Sequence, residues 1–148
     1  MLDIFCADPL TGRQGLLIRV QADADGVSPE AVDGFVIQLF RTSIRVGLLM
    51  TPLETVVVRD ALSSMAFRTN QFLQDKLETA ALLKHAHLGT PKSGPAFESQ
   101  VRRWIEAVGE SWFHALPPEA VGKMVPDVVG HITGAALEES SVEQRDAS

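Results

Sequence analysis

Three polar residues lie in the two strand-like segments that open the chain. Asp3 follows Leu2, while Arg19 and Gln21 lie at the end of the apolar segment 16–21. Alternate residues of a strand share a face, so Arg19 and Gln21 both point towards Asp3 if the two segments pair in the one register that aligns these residues. A carboxylate there would suit Mg²⁺, which prefers oxygen ligands, but a guanidinium within ~4–6 Å competes with the metal for it. We therefore expect a salt bridge between Asp3 and Arg19 in place of a metal ion.

Other carboxylates could supply a second acid for such a site, but none has a suitable position in the sequence. Asp8 lies near a predicted turn, and Asp23 and Asp25 follow the second segment. Helical spacing puts Asp33 largely away from the apolar face of its predicted helix. We thus expect no catalytic residue and no metal site in the chain.

The histidines and the single cysteine do not suggest other chemistry. His85 and His87 lack the i, i+4 spacing that two metal ligands on one helix need, and a position at a helix C-terminus suits them better. Cys6 lies in an apolar, strand-like context, where a buried inert thiol is expected. None of the three is assigned a catalytic role.

Arginines form the main basic concentration of the predicted core. Arg41, Arg45 and Arg59, together with Arg19, could line one end of the sheet and bind a phosphate or an acidic partner. The commoner explanation is a set of surface salt bridges with Asp60 and neighbouring acids, because scattered Arg–acid pairs are frequent on solvated faces.

The first sixty residues contain the elements that would position these side chains. Residues 3–7 and 16–22 favour strands around a turn at 8–12, which predicts a β-hairpin. Ser28 and Pro29 are a helix cap and first turn, and the next apolar residues recur at helical spacing. Residues 46–50 and 55–60 favour two more strands, so the predicted order is β-β-α-β-β. The residues expected on the buried face of the helix are Val32, Phe35, Val36, Leu39 and Phe40.

The second half is predicted to be mainly helical. Residues 64–87 have the apolar stripe of a long helix, and a further helix runs from Pro95 to the pair Pro117-Pro118. Residues 118–137 fit either a last strand or a short helix and loop, and we favour the strand. Residues 1–137 therefore form one α/β domain with a small mixed sheet, and residues 138–148 form an acidic, flexible tail.

Composition limits the possible partners. The 148 residues carry a net charge of -6, of which -3 belongs to the tail. Nucleic acid is therefore a disfavoured partner, because its binding depends on Lys and Arg that neutralise phosphates. The sequence has neither a membrane-length apolar run nor a signal peptide, so we expect a soluble, cytoplasmic protein. Few Lys beside many Ala, Val, Gly and Arg are typical of a GC-rich bacterial genome.

The opening residues resemble the core of the PD-(D/E)XK, or restriction-endonuclease-like, nuclease family. That family has a helix, a three-strand meander, a crossover helix and a further strand, with Asp on one strand and Glu-x-Lys on the next. Residues 1–60 are similar to this core without its first helix. The family's Asp corresponds to Asp3, its Glu to Arg19 and its Lys to Gln21, so the resemblance implies a vestigial site.

Two functions follow from the resemblance. The first is a non-catalytic binding or assembly subunit on a nuclease-like fold. Unless the chain is a fragment without the family's first helix, we expect one side of the sheet to be uncovered and closed by another protein or a second copy. The alternative is a Mg²⁺-dependent nuclease that uses Asp3 with a displaced carboxylate. A small-ligand sensor at the arginine-lined end of the sheet is a third possibility.

Overall fold

A single six-stranded sheet organises the chain in the computed structural model, which describes residues 1–60 and 72–141. The strand order is β5-β4-β3-β2-β1-β6, and all neighbours are antiparallel except the parallel pair β2–β3. The elements are β1 Leu2–Ala7, β2 Gln14–Val20, α1 Pro29–Thr42, β3 Val46–Met50, β4 Glu54–Asp60, β5 Phe72–Glu78, α2 Thr79–His85, α3 Gly94–Ala115, α4 Pro118–Met124, α5 Val129–Ile132 and β6 Ala136–Ser141.

The predicted hairpin, crossover helix and following strands are confirmed. β1 and β2 pair so that Asp3 lies directly opposite Arg19. The turn between them includes Gly12 at φ 75°, and the Asp8 carboxylate accepts a hydrogen bond of 2.8 Å from the Leu10 amide. Asp at a turn start and Gly in the left-handed region both suit tight turns, so local sequence determines this hairpin.

α1 begins and ends as its sequence indicates. The Ser28 side chain accepts a hydrogen bond of 3.1 Å from the Ala31 amide, with Pro29 in the first turn. Its inward face buries Val32, Phe35 and Leu39. Phe40 was expected on this face but is 47% exposed, because it lies at the margin of the apolar stripe rather than over the sheet.

Helices cover both faces of the central strands. α1 packs on one face in a cluster that includes Leu17, Leu49 and Val56. Buried residues of α2, α3, α4 and α5 form the other, larger cluster against alternate residues of β1, β2 and β3. The prediction that one side of the sheet is uncovered is therefore wrong for its central strands.

The predicted long helix over residues 64–87 is wrong in its described part. Residues 72–78 form strand β5, and only the seven residues of α2 are helical. The local pattern suits a helix, but β4 offers a free edge whose backbone groups pair with β5. Residues 64–71 of that predicted helix lie outside the described residues.

The chain after residue 117 contains both structures that the sequence left open. α4 and α5 come first, and the strand favoured by the sequence begins only at Ala136. β6 then continues to Ser141, so residues 138–141 are paired with β1 and do not belong to a flexible tail. Residues 142–148 lie outside the described residues.

Three buried threonines join the β3–β4 turn, β4 and α2. The Thr79 hydroxyl donates to the Thr51 carbonyl at 2.7 Å, so Thr55, whose hydroxyl lies 2.8 Å away, donates to Thr79. These polar groups are fully buried and each hydroxyl has a partner, as burial requires.

Among the described helices, none has the length and apolar character needed to cross a membrane.

Alanine substitutions at Gly47 and Gly34 should change the stability of the protein in opposite directions. A Cβ at this position would lie 2.6 and 2.7 Å from two ring atoms of Phe35, so we expect Gly47→Ala to destabilise the protein by about 1–3 kcal/mol through overpacking. Gly34 in α1 has no atom within 4 Å of an added Cβ, so Gly34→Ala should stabilise by about 0.5–1 kcal/mol. Urea unfolding of both variants measures the difference; equal effects would contradict this packing.

Candidate functional site

Asp3 and Arg19 form a largely buried charged pair between β1 and β2. The Arg19 Nε lies 2.8 Å from Asp3 Oδ1, and its second guanidinium nitrogen lies 2.9 Å from Oδ2. Both donors therefore meet both carboxylate oxygens in a bidentate arrangement. Asp3 is only 4% exposed, and the Arg19 side chain is 13% exposed. The expected salt bridge is present, in the position where a metal would need the carboxylate.

An aromatic ring of α1 completes this site. The Arg19 Cζ lies 5.4 Å from the centroid of the Phe35 ring, within cation–π range. The crossover connection places Phe35 above β2, so the guanidinium is held between a carboxylate and a ring. Sequence reasoning identified Phe35 as a core residue and missed its contact with Arg19, although its place on the inward face of the crossover helix was a usable signal.

Gln21 does not join the pair. It follows the last residue of β2, and its backbone amide donates to the Met50 carbonyl at 2.9 Å. Its side-chain amide contacts the Met1 sulfur at 3.8 Å rather than the Asp3 carboxylate. Of the three residues that the sequence placed together, the structure brings two into contact.

The candidate second acids are dispersed. Asp23 and Asp25 line a cavity of about 900 Å³ beyond the carboxyl ends of β2 and β3, while Asp33 is exposed on α1. Asp8 lies at the other end of the sheet and is engaged in its own turn. Within residues 1–60 and 72–141, no group of three or more His, Cys, Asp and Glu side chains could hold a metal ion.

The predicted arginine cluster is divided between two ends of the sheet. Arg45 precedes β3 and Arg59 lies near the end of the antiparallel β4, so both lie at the end opposite to Arg19. Arg59 forms an ion pair of 3.8 Å with Asp127, as the salt-bridge explanation predicts. Arg41 is exposed on the last turn of α1. The prediction that Arg19 belongs to this group is wrong, because strand direction carries it to the other end.

A cleft of about 730 Å³ adjoins Arg45 at this second end. Arg13 and His131 also line it, and neither was identified as a site residue from sequence. The His131 ring packs against Gly15, where an added Cβ would clash with two ring atoms. Asp8 and Asp127 line the same cleft, so its charges are mixed in sign.

Cys6 is buried beside this cleft. Burial raises the pKa of its thiol to about 12, because an apolar environment disfavours the thiolate. The thiolate is the nucleophilic form, so the expected inert cysteine is consistent with this environment.

No protein-family model matches the chain, and no curated protein sequence and no solved structure matches it either. Function therefore has to be inferred from the geometry of the chain's own residues.

Removing Arg19 should be more harmful than removing the whole ion pair. Arg19→Ala leaves the Asp3 carboxylate buried and unpaired, so we expect a loss of about 3–5 kcal/mol in the free energy of unfolding. Asp3→Val combined with Arg19→Leu removes both charges and should recover most of that loss. Denaturant unfolding of the single and double variants measures the coupling. A loss below about 1 kcal/mol in Arg19→Ala, as for an exposed pair, would contradict the site described above.

Cys6 should react with a thiol reagent only after unfolding. With its pKa raised to about 12, the thiolate is scarce at pH 8. Relative to a free cysteine, the lower thiolate fraction alone slows the reaction by about a thousandfold. The rate at which an aromatic disulfide reagent releases its coloured thiolate, measured with and without denaturant, gives the reactivity of Cys6. Rapid reaction of the native protein would show that Cys6 is accessible.

Proposed function

We propose that this chain is a non-catalytic binding or assembly subunit built on a nuclease-like fold. The observation that carries the proposal is the bidentate Arg19–Asp3 pair. The Arg19 guanidinium donates to both oxygens of Asp3, the one carboxylate in this chain that corresponds to a metal ligand of the family. A buried Arg–carboxylate pair is charge-neutral, so it lacks the net negative charge that attracts a divalent cation, and the guanidinium already takes one acceptor site on each carboxylate oxygen.

The strand arrangement supports the nuclease-like scaffold. β6, β1 and β2 form three adjacent antiparallel strands, followed by the crossover helix α1 and the parallel strand β3. This spatial arrangement resembles the family's meander, helix and further strand, although the outer strand β6 comes from the far end of the chain and β4 and β5 extend the sheet beyond β3. Helices α2–α5 cover the face opposite to α1.

Exposed apolar side chains support a protein partner. Ile37 and Phe40, three residues apart on α1, are 50% and 47% exposed. Residues at this spacing are neighbours on a helix surface, and adjoining exposed apolar groups favour protein contacts. The net charge of -6 makes nucleic acid the less suitable partner.

The rival function is a Mg²⁺-dependent nuclease with a displaced acid. By register, Glu138 of β6 shares a face with Asp3, because it lies opposite Phe5. Its carboxylate accepts a hydrogen bond of 3.1 Å from the Gln14 side chain and would have to leave it to meet a metal at Asp3. This makes Glu138 the acid to substitute when testing the rival.

The proposal predicts that metal binding is absent in the natural chain and can be restored. Arg19→Glu combined with Gln21→Lys recreates the family's acidic pair on β1 and β2 and places its lysine two residues further along the chain. We expect Mn²⁺ to bind this double variant, seen as calorimetric heat and as a rise in melting temperature with metal concentration. The natural chain should give neither signal, and neither protein is required to cut DNA for this result.

Two controls keep this test decisive. Asp3→Ala added to the double variant should abolish the Mn²⁺ signal, while Asp33→Ala, which removes an exposed acid of α1, should not. Binding of Mn²⁺ by the natural chain that is lost with Asp3→Ala or Glu138→Ala, together with plasmid nicking, would establish the rival function and overturn ours.

A further inference from the structure

β6 differs from the other strands in what holds it to the sheet. All six of its residues are exposed, whereas five of the six residues of β1 are buried. β6 is the outermost strand beside β1 in the described sheet. It therefore adds no buried apolar side chain, and its attachment depends on the backbone ladder and on polar side-chain contacts.

Two glutamates of β6 supply those polar contacts on opposite faces of the sheet. Arg102 of α3 reaches Glu139 with a bidentate pair of 2.7 and 3.0 Å, and this bond holds the pKa of Glu139 below its usual range. On the other face, Gln14 of β2 donates to Glu138. Because neighbouring residues of a strand point to opposite faces, two consecutive acids of the strand beside β1 can be contacted at the same time, one by β2 and the other by α3.

The connection into β6 is a short, tight turn. α5 ends at Ile132 and β6 begins at Ala136, and Gly134 between them has φ 73°. α5 buries Val129 and Ile132 in the larger core cluster, so it stays with its own chain when β6 leaves the edge. A glycine in a short connection can extend at little steric cost, and short hinges favour strand exchange.

We propose that the β1 edge is an exchangeable strand-docking site whose occupant in the assembled protein is β6 of a second copy. The second copy carries the matching backbone register and the same Glu138–Glu139 pair, so every contact of the closed chain is remade between chains. Exchange of an identical element costs little beyond opening the hinge. The inference rests on the proposed assembly function and gives it a structural mechanism.

A cross-strand disulfide distinguishes the closed chain from the exchanged dimer. Ala7 and Ala136 lie opposite each other in the β1–β6 register. Ala7→Cys and Ala136→Cys, in a Cys6→Ala background, place two thiols at a spacing that a disulfide can bridge. Unlabelled and ¹⁵N-labelled protein are mixed and incubated at high or low micromolar concentration. After dilution the mixtures are oxidised to form the disulfide and then denatured, and mass spectrometry measures the masses of the cross-linked species.

We expect mixed-isotope dimers linked between these two positions, with a fraction at least about fivefold higher after incubation at the higher concentration, as mass action requires. Cross-links only within single chains at every concentration would overturn the proposal. That result would leave the Mn²⁺ test of the proposed function unaffected, and the converse also holds.

A second measurement covers failure of the cysteine variant to fold. The chain without cysteine substitutions is concentrated, samples are diluted at intervals, and light scattering gives the amount of dimer formed. Glu139→Ala is treated in the same way, as is the control Glu106→Ala, which removes an exposed acid from α3. Loss of the Arg102 contact should speed dimer formation about three- to fivefold, because the contact must break before exchange. Glu106→Ala should not change the rate.

A single-chain mass at all concentrations in all three proteins would overturn the proposal. So would binding of a synthetic peptide of residues 134–141 to Glu139→Ala without any dimer, because the edge would then be open to a free strand and still not be occupied by β6 of a second copy.

Discussion

The buried pair of Asp3 and Arg19 is the interaction on which the site depends. A carboxylate with so little solvent contact is stable only when a partner compensates its charge, and Arg19 does so with two hydrogen bonds. The same two bonds neutralise the carboxylate and take one acceptor site on each oxygen, and both effects oppose binding of a cation. Structure and proposed loss of chemistry therefore have one physical cause, the guanidinium between β1 and β2.

Phe35 connects this pair to the rest of the fold. One part of its ring approaches the Arg19 guanidinium, and other ring atoms lie so close to Gly47 that a Cβ there would clash. The helix can approach this closely because β3 has no side chain at that position. Through Phe35, the crossover helix therefore contacts both the charged pair and the parallel strand β3. A substitution at Gly47 should displace this ring and so also disturb Arg19.

The central strands and the edge strand β6 are stabilised in different ways. The central strands are buried on both faces and held by apolar contacts with helices. β6 is held at the edge by backbone pairing and by contacts of its two glutamates, all of which water can replace. A strand of this kind opens at lower free energy than the core, which is the property that exchange between copies needs.

The sequence by itself determined the elements whose signals are local. Ser28 and Pro29 specified the start of α1, alternating and continuous apolar residues specified β1 to β4, and the turn at residues 8–12 specified the hairpin of β1 and β2. Each of these depends on residues within a few positions or on one short turn. Tertiary structure alone decided that residues 72–78 and 136–141 are strands, because their pairing depends on which backbone edges β4 and β1 leave open. It also separated Arg19 from Arg45 and Arg59, since only the direction of each strand in the assembled sheet determines the end at which a side chain lies.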